Sequence, residues 1–586
     1  MSHHTPSPDL PIIVLKFGGS VLTREHDLAN AVHEIYRWNR EGFRVVAVVS
    51  ALGKTTDKLL AQGHHYGSTP EPGALASLVA TGEATSAALL ALALDRAGIP
   101  AEVLDAPRIN LRTRGVVLDS EPVSVNADVI RRTLRDRAAV VVPGFVGLDD
   151  EGRTTLLGRG GSDFTALFLA QQLSAARCRL VKDVKGLYER DPARPGPLAR
   201  RFKHVSWDDA LKLDGRIIQH KGVRFAKAHE FSFEVAEING RECTVVGAGP
   251  TVFGPVDQPP PPPLRVVLLG LGTVGLGVYR HLIRRPDLFE VVRIAVRNAK
   301  RHANEDIPSY LLTSDPELAI RTPADVVIEA IGGTTPAGDL IAAALRSRRH
   351  VITANKAVIA ERGTELQQLA TESGVKLLFG AAVGGAAPIV ETLATFAGDP
   401  VESIDAVLNG TTNFVISRVE SGVEFEEAVR EAQTLGFAEA DPSRDLDATD
   451  SLDKVRILAR LAAGRDAPIG EKRGVLGGIT PQVRAAVATN HHLRLVASLR
   501  NGVVSVAPVV VSAATALGSL AAEENAAILR TRSGREVIVK GKGAGRWPTS
   551  EAVLGDLLQI ARDLAHAPPS PRSASSSVRQ GEEVLA

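Results

Sequence analysis

The 586-residue chain carries 68 Lys and Arg against 67 Asp and Glu, a formal net charge of +1 with both signs evenly mixed. That balance excludes the electrostatic footprint of a nucleic-acid or anionic-membrane binder and leaves small metabolites as partners. Cys178 and Cys243 are the only cysteines, too few and too isolated for a disulfide framework or a zinc cluster.

The length exceeds what one core serves and predicts about three to four compact units. Residues 1–10 are short and polar with no apolar signal region, and no later stretch reads as long and apolar enough to span a bilayer, so a cytoplasmic protein is expected. The apolar run from Ile12 to Leu15 leads into Lys16-Phe17-Gly18-Gly19-Ser20. A helix over about 28–40, a strand over 43–49 and another over 139–142 follow, an alternation that predicts an α/β sandwich with a mostly parallel sheet. Ligands then gather at the carboxyl ends of the strands. Glycines there let backbone amides close on a phosphate, with the Lys16 ammonium beside them. A second cluster, Gly158-Arg159-Gly160-Gly161-Ser162-Asp163, opens a helix running through Gln172. Arg159 can grip a carboxylate or phosphate bidentately, and Asp163 can orient an ammonium or bind a metal.

These paired motifs resemble the amino acid kinase fold, and aspartate kinase in particular, over about residues 11–250. The resemblance implies that Lys16, Gly18, Gly19 and Ser20 contact the transferred phosphate. It implies an aspartate pocket lined by Thr55, Glu83, Phe145, Arg159 and Ser162, with Asp163 catalytic. ATP with Mg²⁺ would be held by Asp183, Gly186 and Tyr188. Lys182, Lys185 and the run Gln219-His220-Lys221 depart from the family pattern and bear on nucleotide affinity. The paired regulatory domains that usually follow an aspartate kinase have no counterpart before the next unit.

A proline-rich spacer is expected over 251–263, stiff and unable to continue a sheet. The strand from Leu264 to Leu269 then meets Gly270-x-Gly272-Thr273-Val274-Gly275 at the mouth of a helix, the dinucleotide fingerprint in its required context. The next strand, over 290–296, ends at Arg297, with Lys300 and Arg301 following. Cations there suit the 2′-phosphate of NADPH, where a carboxylate would suit NADH. Further on, Asp450 and Lys454 are four apart and share a helix face, with Glu439, Asp441 and Asp445 on the loop before them.

This half resembles homoserine dehydrogenase along nearly its whole length, through Asn409-Gly410-Thr411-Thr412-Asn413, the Glu439 to Lys454 segment and Gly541-Lys542-Gly543-Ala544-Gly545. The resemblance implies a Rossmann domain over 264–393 plus 536–566, with Gly332, Thr353, Lys356 and Gly545 adding to the cofactor site. It implies an α+β substrate and dimerisation domain over 394–535. Glu439, Asp441, Asp445 and Asp450 would bind and orient substrate, while Lys356 and Lys454 polarise and protonate the aldehyde oxygen. A monovalent cation on the backbone carbonyls of Val383 and Ala386 is a further implication, although Gly380 departs from the family there. A disordered tail is expected over 567–586. The combined expectation is an α/β fusion of the two enzymes, assembled as a homo-oligomer. Its rivals are a dehydrogenase with a non-catalytic kinase-like assembly or sensing module, a kinase of the same fold acting on another small molecule, and a Rossmann oxidoreductase of other specificity.

Overall fold

The computed structural model describes residues 10–565 except 193, 195–197, 214, 216, 241, 256–260, 303–304, 397, 477–478, 522 and 544. The tail expected over 567–586 and part of the proline spacer lie outside the described residues.

In the N-terminal half a nine-stranded sheet is built around Ile12–Phe17, which pairs in parallel with Arg44–Val49 on one side and Arg177–Lys182 on the other. Both faces of these strands are covered, so the strands read as continuous apolar runs. Alternation sends Ile13, Leu15 and Phe17 into one core with the helix Leu28–Arg40. Val14, Val46 and Val48 enter the opposite core with the helix Gly161–Gln172. Lys16 therefore projects toward the second helix. A smaller four-stranded sheet carries Arg112–Val116, Asp119–Ser124, Val146–Leu148 and Thr154–Leu156.

Two expectations are corrected in this half. Pro72–Ala97 is in fact long and apolar enough to cross a bilayer. Yet Leu90 and Leu94 are buried in the core of the Leu28–Arg40 helix, and Leu75 and Val79 in a smaller one near Leu156. Its ends are closed by the Glu71 carboxylate, which accepts from the amides of Gly73 and Ala74, and by Gly98 in the left-handed region. The spacer also begins later than 251, because Val252–Phe253 pairs with Phe202–Ser206 at the sheet edge.

The second half begins with a six-stranded, wholly parallel sheet. Numbered in chain order its strands run 3-2-1-4-5-6, with Leu264–Leu269 as strand 1 and Val326–Glu329 as strand 4. The order reverses between those two, and that switch point opens a crevice for a dinucleotide. A second six-stranded sheet, largely antiparallel, centres on Val401–Val407. The return to the nucleotide domain, expected from 536, comes later. Glu536–Lys542 pairs with Glu524–Thr531 and belongs to this antiparallel sheet, and the helix Arg546–Ala565 packs back on the fingerprint helix Thr273–Leu282.

That return helix also docks the two halves together. His33 pairs with Glu551, and Arg40 with Asp556 and, at 3.2 Å, with Glu391. The Arg96 guanidinium stacks over Trp547, and the Lys542 amide donates to the Gly98 carbonyl at 2.9 Å. Burial, with Glu391 nearby, holds the Asp556 carboxyl up at about 6, against an ordinary 3.8. Arg40→Met would strand both acids, so the apparent melting temperature at pH 7.5 is expected to fall by about 5 °C or more. A raised carboxyl takes up its proton more readily folded than unfolded, so the deficit should shrink as pH falls from 7 toward 5. Calorimetry across that range checks both statements, and an unaltered transition would show that Arg40 does not hold the halves.

Candidate active sites

The dinucleotide crevice is shaped by backbone. Gly270 has φ +98° and abuts the Ala330 carbonyl, and a Cβ at Gly275 would strike the Gly270 carbonyl oxygen. Gly272 caps the helix Thr273–Leu282 with nothing within 4 Å of where its Cβ would stand, leaving an open cradle at the helix N-terminus. Thr273 is exposed beside it and Val274 half-buried, its carbonyl accepting from the Ser550 hydroxyl at 3.2 Å. Arg297 and Lys300 are exposed past the second strand, and among the described residues neither side chain has an ion-pair partner. Gly332 and Gly545 both adopt positive φ.

Glu329, which the sequence reading did not single out, organises the far wall. Fully buried at the end of its strand, it accepts from the amides of Ile331 and Gly332 at 2.8 and 3.3 Å and from the Thr353 hydroxyl at 2.5 Å. Asn355 donates to Glu329 and to the Gly333 carbonyl, and its own oxygen caps the helix that Lys356 begins. An acid ending a strand just before two glycines was the available signal.

Lys356 leaves that helix N-terminus to pair with Asp450, whose other oxygen lies 2.9 Å from Lys454. Lys454 also donates to the Leu408 carbonyl at 2.7 Å, and Asn409 donates to Asp445 at 2.7 Å and Asp450 at 2.8 Å. Burial disfavours the Asp450 charge, but the two lysines outweigh it and hold its carboxyl well below the usual range. Asp445, with burial and Asp450 both acting against its charge, is pushed up. Ala448, just before the helix Thr449–Ala463, has φ +71°, a strained conformation for alanine at the mouth of the site. The remaining two acids are placed differently. Asp441 caps the Ser443 amide and hydroxyl, and Glu439 is exposed on the loop. Neither touches the lysines. Val383 is buried at the end of Gly380–Val383, and the Ala386 amide donates to the Lys542 carbonyl at 3.0 Å.

In the N-terminal half Gly18 is buried beneath the Lys16 ammonium, Gly19 packs against the Ala51 and Gly53 carbonyls, and Ser20 is exposed. Lys16 and Lys182 each lie 2.8 Å from Asp163. Glu83 accepts from the Ala51 amide at 3.3 Å and from Thr56 at 3.4 Å, while Thr55 starts the helix Thr55–His65. Phe145, at φ +70°, donates its amide to Thr165, and Ser162 is buried against Gly144. Arg159 and Asp183 are exposed at the rim, and Tyr188 forms an isolated bridge with Arg201.

Residues 388–558 match the homoserine dehydrogenase family model, residues 270–380 the homoserine dehydrogenase NAD-binding domain, and residues 11–247 the amino acid kinase family. A homoserine dehydrogenase from Synechocystis is 34% identical over 327 residues, 53% of this chain and 76% of that protein. The chain belongs to the homoserine dehydrogenase family. One from Bacillus subtilis is 32% identical over 318 residues, 51% of this chain and 73% of that protein. A crystal structure of a homoserine dehydrogenase from Thiobacillus denitrificans aligns at 32% identity and TM-score 0.48, covering 52% of this chain and 76% of that one. The family models place an amino acid kinase domain ahead of a nicotinamide-dependent dehydrogenase, the arrangement of a bifunctional aspartate kinase and homoserine dehydrogenase.

Lys454 stands on the substrate-domain helix, away from the glycine fingerprint. Lys454→Ala is expected to cut dehydrogenase turnover about a hundredfold or more, the scale of a positioned proton donor, with cofactor affinity unchanged. Steady-state kinetics with a fluorescence titration of the cofactor decide it, and near-normal turnover would remove Lys454 from the chemistry.

Proposed function

We propose that the dehydrogenase half reduces aspartate 4-semialdehyde to homoserine, with NADPH preferred over NADH, and that the kinase half makes 4-phosphoaspartate from aspartate and ATP with Mg²⁺. The observation that carries the first reaction is the Lys356–Asp450–Lys454 bridge, which sets two ammoniums from separate domains at the mouth of the dinucleotide crevice. The nicotinamide cofactor, when bound on the glycine cradle, supplies the hydride. Lys454 and Lys356 then stabilise the developing alkoxide, and Lys454 delivers its proton. Asp450 holds both lysines in place and favours the charged form of Lys356, and Asn409 fixes Asp450. Glu439, exposed and with no side-chain partner among the described residues, is available for the substrate ammonium.

For the kinase, an aspartate carboxylate is already a nucleophile and needs no base, so positioning and charge neutralisation suffice. Lys16 and the Gly18-Gly19 backbone serve the phosphoryl group, and Arg159 and Glu83 serve the two ends of the amino acid. The exposed Val509 and Val510 on the antiparallel six-stranded sheet support self-association through the dehydrogenase half. Assays on the purified chain test the two activities separately. Aspartate-dependent hydroxamate formed with MgATP reports the kinase, and semialdehyde-dependent NADPH oxidation reports the dehydrogenase. A chain with the second activity alone would carry a non-catalytic kinase-like module.

Burial raises the Glu83 carboxyl to about 7, against an ordinary 4.5. Its charge is therefore lost as pH falls through 7, and KM for aspartate is expected to climb between pH 8 and 6. Glu83→Gln should raise KM at pH 8 and flatten that profile, and a wild-type KM independent of pH would take Glu83 out of substrate binding. For the cofactor, Arg297→Asp is expected to reverse the NADPH to NADH ratio of kcat/KM, because it removes a phosphate partner and adds repulsion. A wild type that already favours NADH would refute the phosphate site.

A further inference from the structure

Lys182 has no role in the reactions as derived so far, and its place in the fold gives it one. It ends Arg177–Lys182, the strand that runs parallel beside Ile12–Phe17 with Leu180 opposite Lys16. Opposed residues share a face, and so do residues two apart, so Lys182 projects to the same side of the sheet as Lys16. Between them stands Asp163, in the first turn of Gly161–Gln172, with one oxygen 2.8 Å from Lys16 and the other 2.8 Å from Lys182. The side chains are only 7%, 9% and 11% exposed for Lys16, Asp163 and Lys182.

One carboxylate cannot balance two ammoniums. Burial pushes the Lys16 ammonium down, and Glu83 is a further acid acting on it; with both lysines charged and Glu83 protonated, the cluster holds an excess positive charge where strands end, a helix begins and the Gly18-Gly19 backbone turns. Burying such a charge costs free energy unless an anion completes the set. Burial opposes the Asp163 charge too, yet the two lysines bring its carboxyl down to about 2. Its carboxylate is a weak base, suited to holding the two lysines in place.

We propose that Lys182 is a second catalytic cation of the kinase half, contacting the nucleotide phosphates, with Asp163 as the positioning residue that spaces it from Lys16. This rests on the aspartate kinase reading. In the transfer, an aspartate carboxylate oxygen bonds to the γ-phosphorus while the bond from that phosphorus to the bridging oxygen breaks. The electron pair leaves on ADP, and no proton moves. Lys16 lies over Gly18 on the side of the glycine loop. Lys182 directly precedes the 183–188 segment assigned to the nucleotide, so it serves the leaving ADP, where charge grows during transfer.

The test uses the full chain. Lys182→Thr is expected to lower kcat for aspartyl hydroxamate formation about a hundredfold, the scale of losing one preorganised charge partner. KM for aspartate should stay within about threefold, and Lys182→Arg should restore part of kcat. Dehydrogenase turnover and melting temperature on the same samples report folding, and if Lys182→Thr disturbs them, kinase rescue by Lys182→Arg decides. Should Lys182 merely balance Asp163, adding Lys182→Thr to Asp163→Asn costs nothing more, whereas the proposal requires a further fall of about tenfold or greater. A Lys182→Thr kcat within about threefold of an active wild type overturns the Lys182 assignment alone. A wild type that forms no hydroxamate overturns the kinase reading and Lys182 with it.

Discussion

A single buried aspartate clamped between two lysines from different elements is the constraint on which both sites depend. In the dehydrogenase half Asp450 joins Lys454, four residues on along one helix, to Lys356 at the head of a nucleotide-domain helix. A carboxylate this buried is stable only if paired, so the pairing fixes how closely the two domains approach. Two cations on one anion then leave a surplus positive charge, held rigidly where the proposed reaction develops its alkoxide. Preorganised charge of that kind needs no rearrangement at the moment of reaction. Asp163 repeats the device in the kinase half with Lys16 and Lys182. There too the two lysines hold the carboxyl low, as they do for Asp450.

The join between the halves follows a different physics. Their apolar cores are separate, the kinase core around Leu28–Arg40 sharing no residue with the nucleotide-domain core that includes Val553 and Leu557. Much of what crosses is polar, His33 to Glu551, Arg40 to Asp556 and Glu391, Arg44 to the Ile538 carbonyl, while Leu10 packs against the dehydrogenase core. The docking leaves a cleft of about 950 Å³, reached by Arg37 from one half and Arg562 from the other. Buried ion pairs of this sort confer geometry more than affinity, because each charge must first be stripped of water. The return helix Arg546–Ala565 is thus asked for two faces, an apolar one for the fingerprint helix and a charged one for the kinase.

Features that a short stretch of chain must satisfy on its own were legible in the sequence. The fingerprint turn needs glycine wherever a Cβ would meet backbone, and Gly270 and Gly275 show that need in the geometry. The helix spacing of Asp450 and Lys454 was equally plain. Lys356, named beside Lys454 only through the family resemblance, could not be paired with Asp450 from spacing, because a pairing across 94 positions leaves no periodic trace. For the same reason Glu536–Lys542 was assigned to the wrong sheet: an alternating strand states which face is buried, not which neighbour it joins. The apolar helix Pro72–Ala97 was passed over as a span by composition, and only the sheet it packs on explains its apolarity. Asp441, grouped with the substrate acids by proximity, turned out to spend its carboxylate on a local cap.

The two sites also bear on how one product reaches the next enzyme. An acyl phosphate becomes an aldehyde only by a two-electron reduction with loss of phosphate, and neither site is assigned that step, so a separate reductase must act between them. The fold agrees with that separation. Lys16 and Asp163 lie on the face of the first sheet covered by Gly161–Gln172, whereas the return helix docks against Leu28–Arg40 on the opposite face. The kinase sheet therefore stands between its own reacting centre and the dehydrogenase half. Fusion fixes the ratio of the two activities and gives each half a partner to pack on, while the kinase centre lies on the sheet face away from the join.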